Sequence, residues 1–366
     1  MKWSKEQIET IKLYLSQGES YQSIAHKLNV TYSSVEHAVR RYELSSYFVS
    51  KQALITQRDL SFEEQNKLLI RALSDKLKKA PKPIPTTPVF KKNGDTLVVQ
   101  FTDWHIGRIV KDEYGNQIYN TDVFKKRVHK LLQEMLGLLD SYISKGTPIT
   151  DVVVLATGDI MDGMGIYASQ EVQSELSPPF QVMLGVKIIQ QFILALVDRK
   201  LGVKFYGVRG NHGEIRSGGK SKDPNANWDM QLYLVLDFWV QSILKNKNVE
   251  VAYSELDYLN LVIRGWKYHI RHIAPQQSET SAGKAKFLGW ARKHECDVLV
   301  YGHYHHYSIT DRSGITVIRG GSVTGADEFS ESLAEESEPI QLIWGCSKNR
   351  PMTFMYAIDL GIRKKK

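Results

Sequence analysis

Five short clusters of metal-ligating residue types punctuate the chain between residues 103 and 305. They are Asp103-Trp104-His105, Gly158-Asp159-Ile160-Met161-Asp162, Gly210-Asn211-His212, the histidine-bearing run Trp266 to His272, and Gly302-His303-Tyr304-His305. Carboxylate, imidazole and carboxamide donors together suit Mn, Fe or Zn. Glycine precedes three of the clusters, which lets the backbone turn sharply and come close to a ligand.

The elements around these clusters explain how they could meet. Leu97 to Phe101, Asp151 to Ala156, Val203 to Val208 and Asp297 to Tyr301 are short apolar runs that read as buried strands, and each leads directly into a cluster. Further strands are expected at Leu259–Ile263 and Lys267–His272. Helical periodicity marks the stretch around Phe124, Val128, Leu131, Leu132 and Met135, then Pro179–Val197, Trp228–Leu244 and Ala282–His294. This alternation of strand and helix predicts an α/β core, in which strand C-termini gather at one edge and bind ligands. In the fifth run, His269 and His272 fall on opposite faces of a strand of period two, and the strand-end position favours His272. His306 reads as surface or support, and His26, His37, His129 and His294 as ordinary helical positions.

The clusters resemble the ordered signature of the calcineurin-like metallophosphoesterases: D-x-H, GDxxD, GNH, a lone His and GHxH. All five elements are present in that order. The resemblance implies a two-sheet α/β/β/α sandwich holding two divalent cations, Mn2+ first, with Fe2+ or Zn2+ as alternatives. It places one cation on Asp103, His105, Asp159 and His305, and the other on Asp159, Asn211, His272 and His303. Asp159 would bridge cations ~3.5–4 Å apart, and a metal-bridging hydroxide would attack phosphorus. It also implies that His212 is the general acid, with its tautomer fixed by Asp162. For Asp162 the plainer reading is a turn residue before Gly163.

Within the family, Phe101-Thr102-Asp103-Trp104-His105-Ile106-Gly107 looks like the double-strand-break-repair exonucleases and related phage-encoded phosphoesterases. The basic loop after Gly213, with Arg216, Lys220 and Lys222 before Asn227-Trp228-Asp229, is similar to the phage type. The Ser/Thr protein phosphatases match less well. Gly163 stands where their GDxxDRG motif has arginine, and Glu214 lies one residue beyond the place of the glutamate in their GNHE.

The N-terminal segment reads as helices only. Ser4 caps a helix carrying Ile8, Ile11 and Leu15, which Gly18 ends. Tyr21 to Tyr42 resembles a helix-turn-helix: Ala25 permits close helix approach, Asn29 takes a left-handed turn, and Val30, Val35 and Ala38 fill the core. Thr31 or Ser33 caps the second helix of the motif. Its outward residues Tyr32, Ser34, His37, Arg40 and Arg41 would face DNA. Glu36 lies on the same side.

Charge is unevenly spread. Residues 1–96 carry 16 Lys+Arg against 10 Asp+Glu, whereas the rest carries 32 against 30. A basic segment before a nearly neutral body suits a polyanion partner. A polar helix follows from Ser61-Phe62-Glu63-Glu64 through Leu68, Leu69 and Leu73, and then four prolines in positions 81–88 form an extended linker. The expected domains are therefore 1–46 (helix-turn-helix), 47–95 (helical segment and linker) and 96–366 (metallophosphoesterase). The acidic stretch Asp327–Glu338 reads as a solvated loop.

No stretch is expected to cross a membrane, no signal-peptide core follows Met1, and Cys296 and Cys346 form neither a disulfide framework nor a zinc knuckle. The expected location is a bacterial or phage-infected host cytoplasm. The oligomeric state is open, homodimer included. The expected function is a two-metal phosphodiesterase acting on nucleic acid, a DNA nuclease or end-processing enzyme. The alternative is a protein or small-molecule phosphomonoesterase that its DNA-binding module localises.

Overall fold

A computed structural model describes residues 3–16, 20–42, 44, 94–146, 149–167, 170–215, 223, 225–274, 281–325 and 338–361. They belong to two compact units, one within residues 1–71 and one within 72–366. The polar helix expected from Ser61 and the Pro-rich linker lie outside the described residues. So do Gly18, the basic positions Arg216, Lys220 and Lys222, and nearly all of the acidic stretch.

The first unit holds helices α1 (Lys5–Ser16), α2 (Tyr21–Lys27) and α3 (Tyr32–Arg41). Ser4 and Gln7 form a reciprocal cap on α1: the Gln7 N–H donates to Ser4 Oγ at 3.1 Å and the Ser4 N–H to Gln7 Oε1 at 3.0 Å. Asn29 does take the left-handed conformation, at φ 50°. It closes α2 in a Schellman motif, with the Val30 N–H on Ala25 O and the Asn29 N–H on His26 O. Of the two expected caps for α3, Thr31 is the one used, accepting the Ser34 N–H at 3.3 Å. Ile11, Leu15, Ile24, Ala25, Val35, Ala38, Val39 and Leu44 form the core, and Val30 packs at its edge.

The second unit is built on two sheets. The first has the order β13-β12-β1-β4-β5-β6. Its parallel strands are β1 (Asp95–Phe101), β4 (Ile149–Ala156), β5 (Gly202–Gly207) and β6 (Val249–Tyr253); β12 (Ile340–Cys346) and β13 (Phe354–Asp359) add an antiparallel edge. The second has the order β10-β11-β9-β8-β7, from β7 (Tyr258–Ile263), β8 (Trp266–Arg271), β9 (Val298–Tyr301), β10 (Ser308–Arg312) and β11 (Ile315–Arg319). A small hairpin pairs β2 (Val110–Lys111) with β3 (Gln117–Tyr119).

The sheets face each other through one core, in which Val98, Val153 and Trp344 of the first sheet meet Tyr268, Ile270, Val300 and Ile318 of the second. Helices α4 (Thr121–Ser144), α6 (Pro178–Asp198) and α7 (Trp228–Trp239) cover the outside of the first sheet. Phe101 meets Phe192 edge-on at 5.1 Å there, and Phe205 meets Tyr233 at 5.6 Å. On the other side α8 (Ser281–Lys293) sets Phe287 and Ala291 against Leu299, Tyr301 and Val317. A single turn, α5 (Gln170–Gln173), precedes α6. This is the expected α/β/β/α sandwich. Because β1 and β4 are covered on both faces, they read as continuous apolar runs rather than alternating ones.

Besides strands β2, β3 and β6 and the short helix Gln170–Gln173, which the sequence reading did not list, three points differ from it. The chain after His305 supplies four strands that periodicity did not reveal. In β12, the inward Gln341 and Gly345 interrupt the apolar run, and β13 is half-buried without clean alternation. The helix expected over Trp228–Leu244 changes at Val240 into a π-helical turn and stops at Lys245, which has φ 50°. Finally, Pro178–Asp198 contains an 18-residue window long and apolar enough to span a membrane. Of that window 61% is buried inside the fold, so its apolar character is accounted for by packing on the sheet.

Candidate metal centre

Matched register brings the clusters together. Phe101, Ala156 and Gly207 end adjacent parallel strands side by side, and the three loops that follow carry Asp103, Asp159 and Asn211-His212. In the second sheet β8 and β9 are also parallel, and their ends deliver His272 and His303 to His305. Backbone bonds stitch these loops to one another. The Asp103 N–H donates to Gly158 O at 3.2 Å, His105 N–H to Asp159 O at 3.0 Å, and Gly302 N–H to His272 O at 3.1 Å.

Asp103, His105, Asp159, His303 and His305 all adopt positive φ, between 45° and 77°. Side chains other than glycine rarely occupy that region, and concentration there marks a site where surrounding structure holds the backbone. The neighbouring glycines answer to close approach. A Cβ on Gly302 would lie 2.0 Å from Thr102 Oγ1, and one on Gly210 would lie 2.1 Å from Asp159 Oδ1.

His105 Nε2 and His305 Nε2 face each other at 3.0 Å, with Asp103 Oδ1 3.5 Å from the latter and 3.9 Å from the former. Two ring nitrogens so placed need a proton or a cation between them, and a carboxylate alongside suits the cation. Asp103 Oδ2 also accepts the Thr102 hydroxyl at 2.6 Å and the His303 N–H at 3.0 Å. Opposite this group, His272 Nε2 lies 3.0 Å from Asp159 Oδ2 and 2.9 Å from Asn211 Oδ1. Its Nδ1 meets the Thr157 carbonyl at 2.8 Å, which assigns the proton to Nδ1 and turns Nε2 inward. Asp103, His105 and His305 have ligand atoms within 4.8 Å of one another, as do Asp159, His272 and His303. All nine sequence-derived metal and catalytic positions therefore converge on one edge, and the donors fit divalent cations of borderline softness.

His269 is not among them. Its ring stacks on Tyr258 at 4.9 Å and its Nδ1 meets Asn260 Oδ1 at 2.7 Å, away from the centre. His306 turns aside too, with Nδ1 on the Tyr304 carbonyl at 3.1 Å and Nε2 against Arg319.

The titrating groups form a mixed field. Burial raises the Asp103 carboxyl. Burial would raise Asp162 as well, but His105 and His212 beside it hold it down at about 2. Burial lowers His105 to about 3 and His303 to about 4, which keeps both imidazoles neutral, as ligation requires. Burial would also depress His272, but the Asp159 carboxylate lifts it to about 9.

His212 and Asp162 do not merely follow one another in the chain. Asp162 Oδ1 is 3.3 Å from His212 Nδ1 and 3.3 Å from His105 Nδ1, so one buried carboxylate stands behind both rings. The His212 N–H donates to Asp159 Oδ1 at 2.8 Å. His212 also shares a cluster with His105 and Asp159 within 4.8 Å. A Cβ on Gly163 would meet the His212 carbonyl oxygen at 2.3 Å, so no side chain fits there as the loop is folded. The arginine of the protein-phosphatase motif has no room at this position.

Three contributors escaped the sequence reading. Asp229, fully buried at the start of α7, accepts the N–H groups of Asp159 (3.0 Å), Met161 (2.9 Å) and Gly210 (2.9 Å) and so ties two ligand loops together. Burial, with Asp159 nearby, raises its carboxyl to about 7. Gln170 accepts the Ile166 and Tyr167 N–H groups through Oε1 and donates to the carbonyls of Asp162 and His212. Tyr167 accepts the Asn211 Nδ2–H at 2.9 Å. Only Asp229 left a trace in the sequence: a carboxylate in the first turn of an apolar helix, two residues after an Asn cap.

In the first unit Tyr32, His37, Arg40 and Arg41 are exposed on α3, opposite Val35, Ala38 and Val39. Ser34 is only half-exposed, and its hydroxyl meets Thr31 Oγ1 at 2.8 Å within the cap.

Such a set of strand-end aspartates, histidines and an asparagine between two sheets is a candidate metal centre with oxygen and nitrogen donors. The model of the calcineurin-like phosphoesterase family matches residues 96–307, more than half of the chain, and the chain belongs to that family. Family membership implies hydrolysis of phosphoester bonds with divalent metal ions. No curated protein matches the chain. Among solved structures, a single mutant of Vps29 from Entamoeba histolytica is similar at 14% identity over 72% of this chain and 98% of its own, with a TM-score of 0.33. A novel archaeal phosphodiesterase gives 13% identity, 72% and 99% coverage, and 0.32. A hypothetical protein from Pyrococcus horikoshii gives 13%, 74% and 89%, and 0.36. Likeness at this level adds nothing to the family assignment.

Proposed function

We propose that this protein hydrolyses phosphodiester bonds in DNA, as a nuclease or end-processing enzyme of the cytoplasm, Mn2+ being the preferred metal. The observation that carries the DNA reading is the outer face of α3. Tyr32, His37, Arg40 and Arg41 stand exposed there on a capped helix that follows the Asn29 turn, which supports reading α3 as a recognition helix. A DNA-binding module on the same chain raises the local concentration of DNA at the hydrolytic site. On this reading residues 1–46 are the DNA-binding domain, 47–95 a tether and 96–366 the catalytic domain.

Asp103, His105 and His305 would hold one cation, Asn211, His272 and His303 the other, and Asp159 would be shared. When bound, the cations supply neutralisation of phosphoryl charge and an acidified water. The chain's own groups do the rest. His212 gives a proton to the leaving oxygen, and Asp162, 3.3 Å behind its Nδ1, fixes which nitrogen faces the substrate. Asp159 anchors the same loop by accepting the His212 N–H.

The decisive assay incubates the full chain and Mn2+ with end-labelled single- and double-stranded DNA, read at nucleotide resolution, beside bis- and mono-p-nitrophenyl phosphate. Cleavage of DNA and of the bis ester supports the reading. Turnover of the mono ester alone replaces it with a phosphomonoesterase.

A further inference from the structure

Tyr167 is an exposed ring in a site whose other members are buried or half-buried; 42% of its surface is open. Its position is nonetheless fixed from three directions. The hydroxyl accepts the Asn211 Nδ2–H at 2.9 Å, the backbone N–H is held by Gln170 Oε1 at 3.1 Å, and the ring lies 4.8 Å from that of His212, inclined by 41°. Gln170 in turn donates to the His212 carbonyl at 3.3 Å, which ties Gln170 to the His212 loop. Met164, also exposed, lies on the same loop.

A rigid aromatic surface left open to water beside a proton donor has little structural reason to be apolar. It does suit a planar ligand, because every nucleobase presents a π-face that stacks on such a ring. We propose that Tyr167 forms a stacking subsite for the nucleobase on the leaving-group side of the scissile phosphate, the side that His212 serves. This rests on the nucleic-acid reading given above and extends it to a contact with the base. The same hydroxyl makes Tyr167 a positioning residue for Asn211: with Nδ2 engaged, Oδ1 is the atom turned toward His272 Nε2.

The test measures binding by calorimetry on the full, Mn-loaded chain, using deoxyadenosine monophosphate and 2-deoxyribose 5-phosphate, which differ by the base. Wild type is expected to bind the nucleotide about tenfold or more tightly than the sugar phosphate. Tyr167→Phe retains that ratio, since the ring remains, whereas Tyr167→Leu brings it close to one. Equal binding of the two ligands by wild type, or an undiminished ratio in Tyr167→Leu, overturns the proposal. Manganese titration of both variants reads the second role: each should bind the cation more weakly than wild type, and unchanged binding removes it. Should DNA resist cleavage while the base preference holds, the DNA reading falls and the stacking subsite stands.

Discussion

The carboxylate of Asp229 accepts the backbone N–H of Asp159 at 3.0 Å, and with the same oxygen the N–H of Gly210 at 2.9 Å. A group outside the metal cage thus sets the spacing of two ligand loops. Asp229→Ala would strand three buried amides, each worth about 1–3 kcal/mol. The expected result is a fall of several kcal/mol in unfolding free energy by urea titration and a 10–100-fold loss of Mn2+ affinity, the usual effect of removing a supporting partner. Undiminished affinity in a folded variant would show that the loops hold themselves.

Metal binding should release a proton at neutral pH. His272, held at about 9 by Asp159, is protonated in the metal-free protein below that value, and ligation through Nε2 demands the neutral ring. Affinity should therefore rise toward pH 9, by up to about tenfold per pH unit for one coupled proton. Calorimetry in buffers of differing ionisation enthalpy counts the protons. His272→Gln should reduce that count by about one.

The acid role proposed for His212 makes its contribution depend on the leaving group. His212→Ala should slow DNA hydrolysis by about 10²–10⁴-fold, the range for removing a general acid. Bis-p-nitrophenyl phosphate, whose leaving group departs without a proton, should lose far less. Equal losses on both substrates would reassign His212 to the ligand set that it adjoins with His105 and Asp159.

Gly163→Ala tests the contact behind that histidine. The substitution adds a Cβ where the His212 carbonyl lies at 2.3 Å, on a residue with φ +71°. Turnover should fall steeply while Mn2+ stoichiometry is kept, because the loop is pushed aside at His212 rather than at the carboxylates.

On α3, Arg40→Ala and Arg41→Ala should each weaken DNA binding and reduce the slope of log affinity against log salt by about one, as loss of a phosphate contact does. Fluorescence anisotropy across a salt series provides the measurement. A slope equal to that of wild type would take the residue out of the interface.

Legibility in the sequence followed the physics of each feature. Asp103, Asp159, Asn211 and His303 could be found because a buried strand must end before its loop reaches the ligand edge, and apolar runs such as Asp151 to Ala156 announce those ends. His272 was separable from His269 because the strand period puts the two on opposite faces and the strand-end position favours His272. Asn29 and Thr31 were readable because turn and cap chemistry are local. Asp229, Gln170 and Tyr167 were not, since their partners lie 8 to 70 residues away or are backbone groups without a sequence signature. The second contact of Asp162, to His105 across 57 positions, was hidden for the same reason. Strand β12 was obscured by Gln341, a buried amide whose hydrogen bonds run to Thr102, Trp104 and Gly321.

The backbone stitching of the ligand loops also bears on how metal and folding are coupled. In small zinc modules the cation organises a chain that is otherwise unfolded. Here the left-handed conformations of Asp103, His105 and Asp159 are held by hydrogen bonds between peptide groups and by a two-sheet core, neither of which involves a cation. The expectation is therefore that the cage keeps its shape when its cations are removed. Chelation should leave the sandwich folded, and the ion that next fills it is set by cellular supply and by the affinity order of divalent metals rather than by a refolding event. On that expectation, one metal replaces another without passage through the unfolded chain.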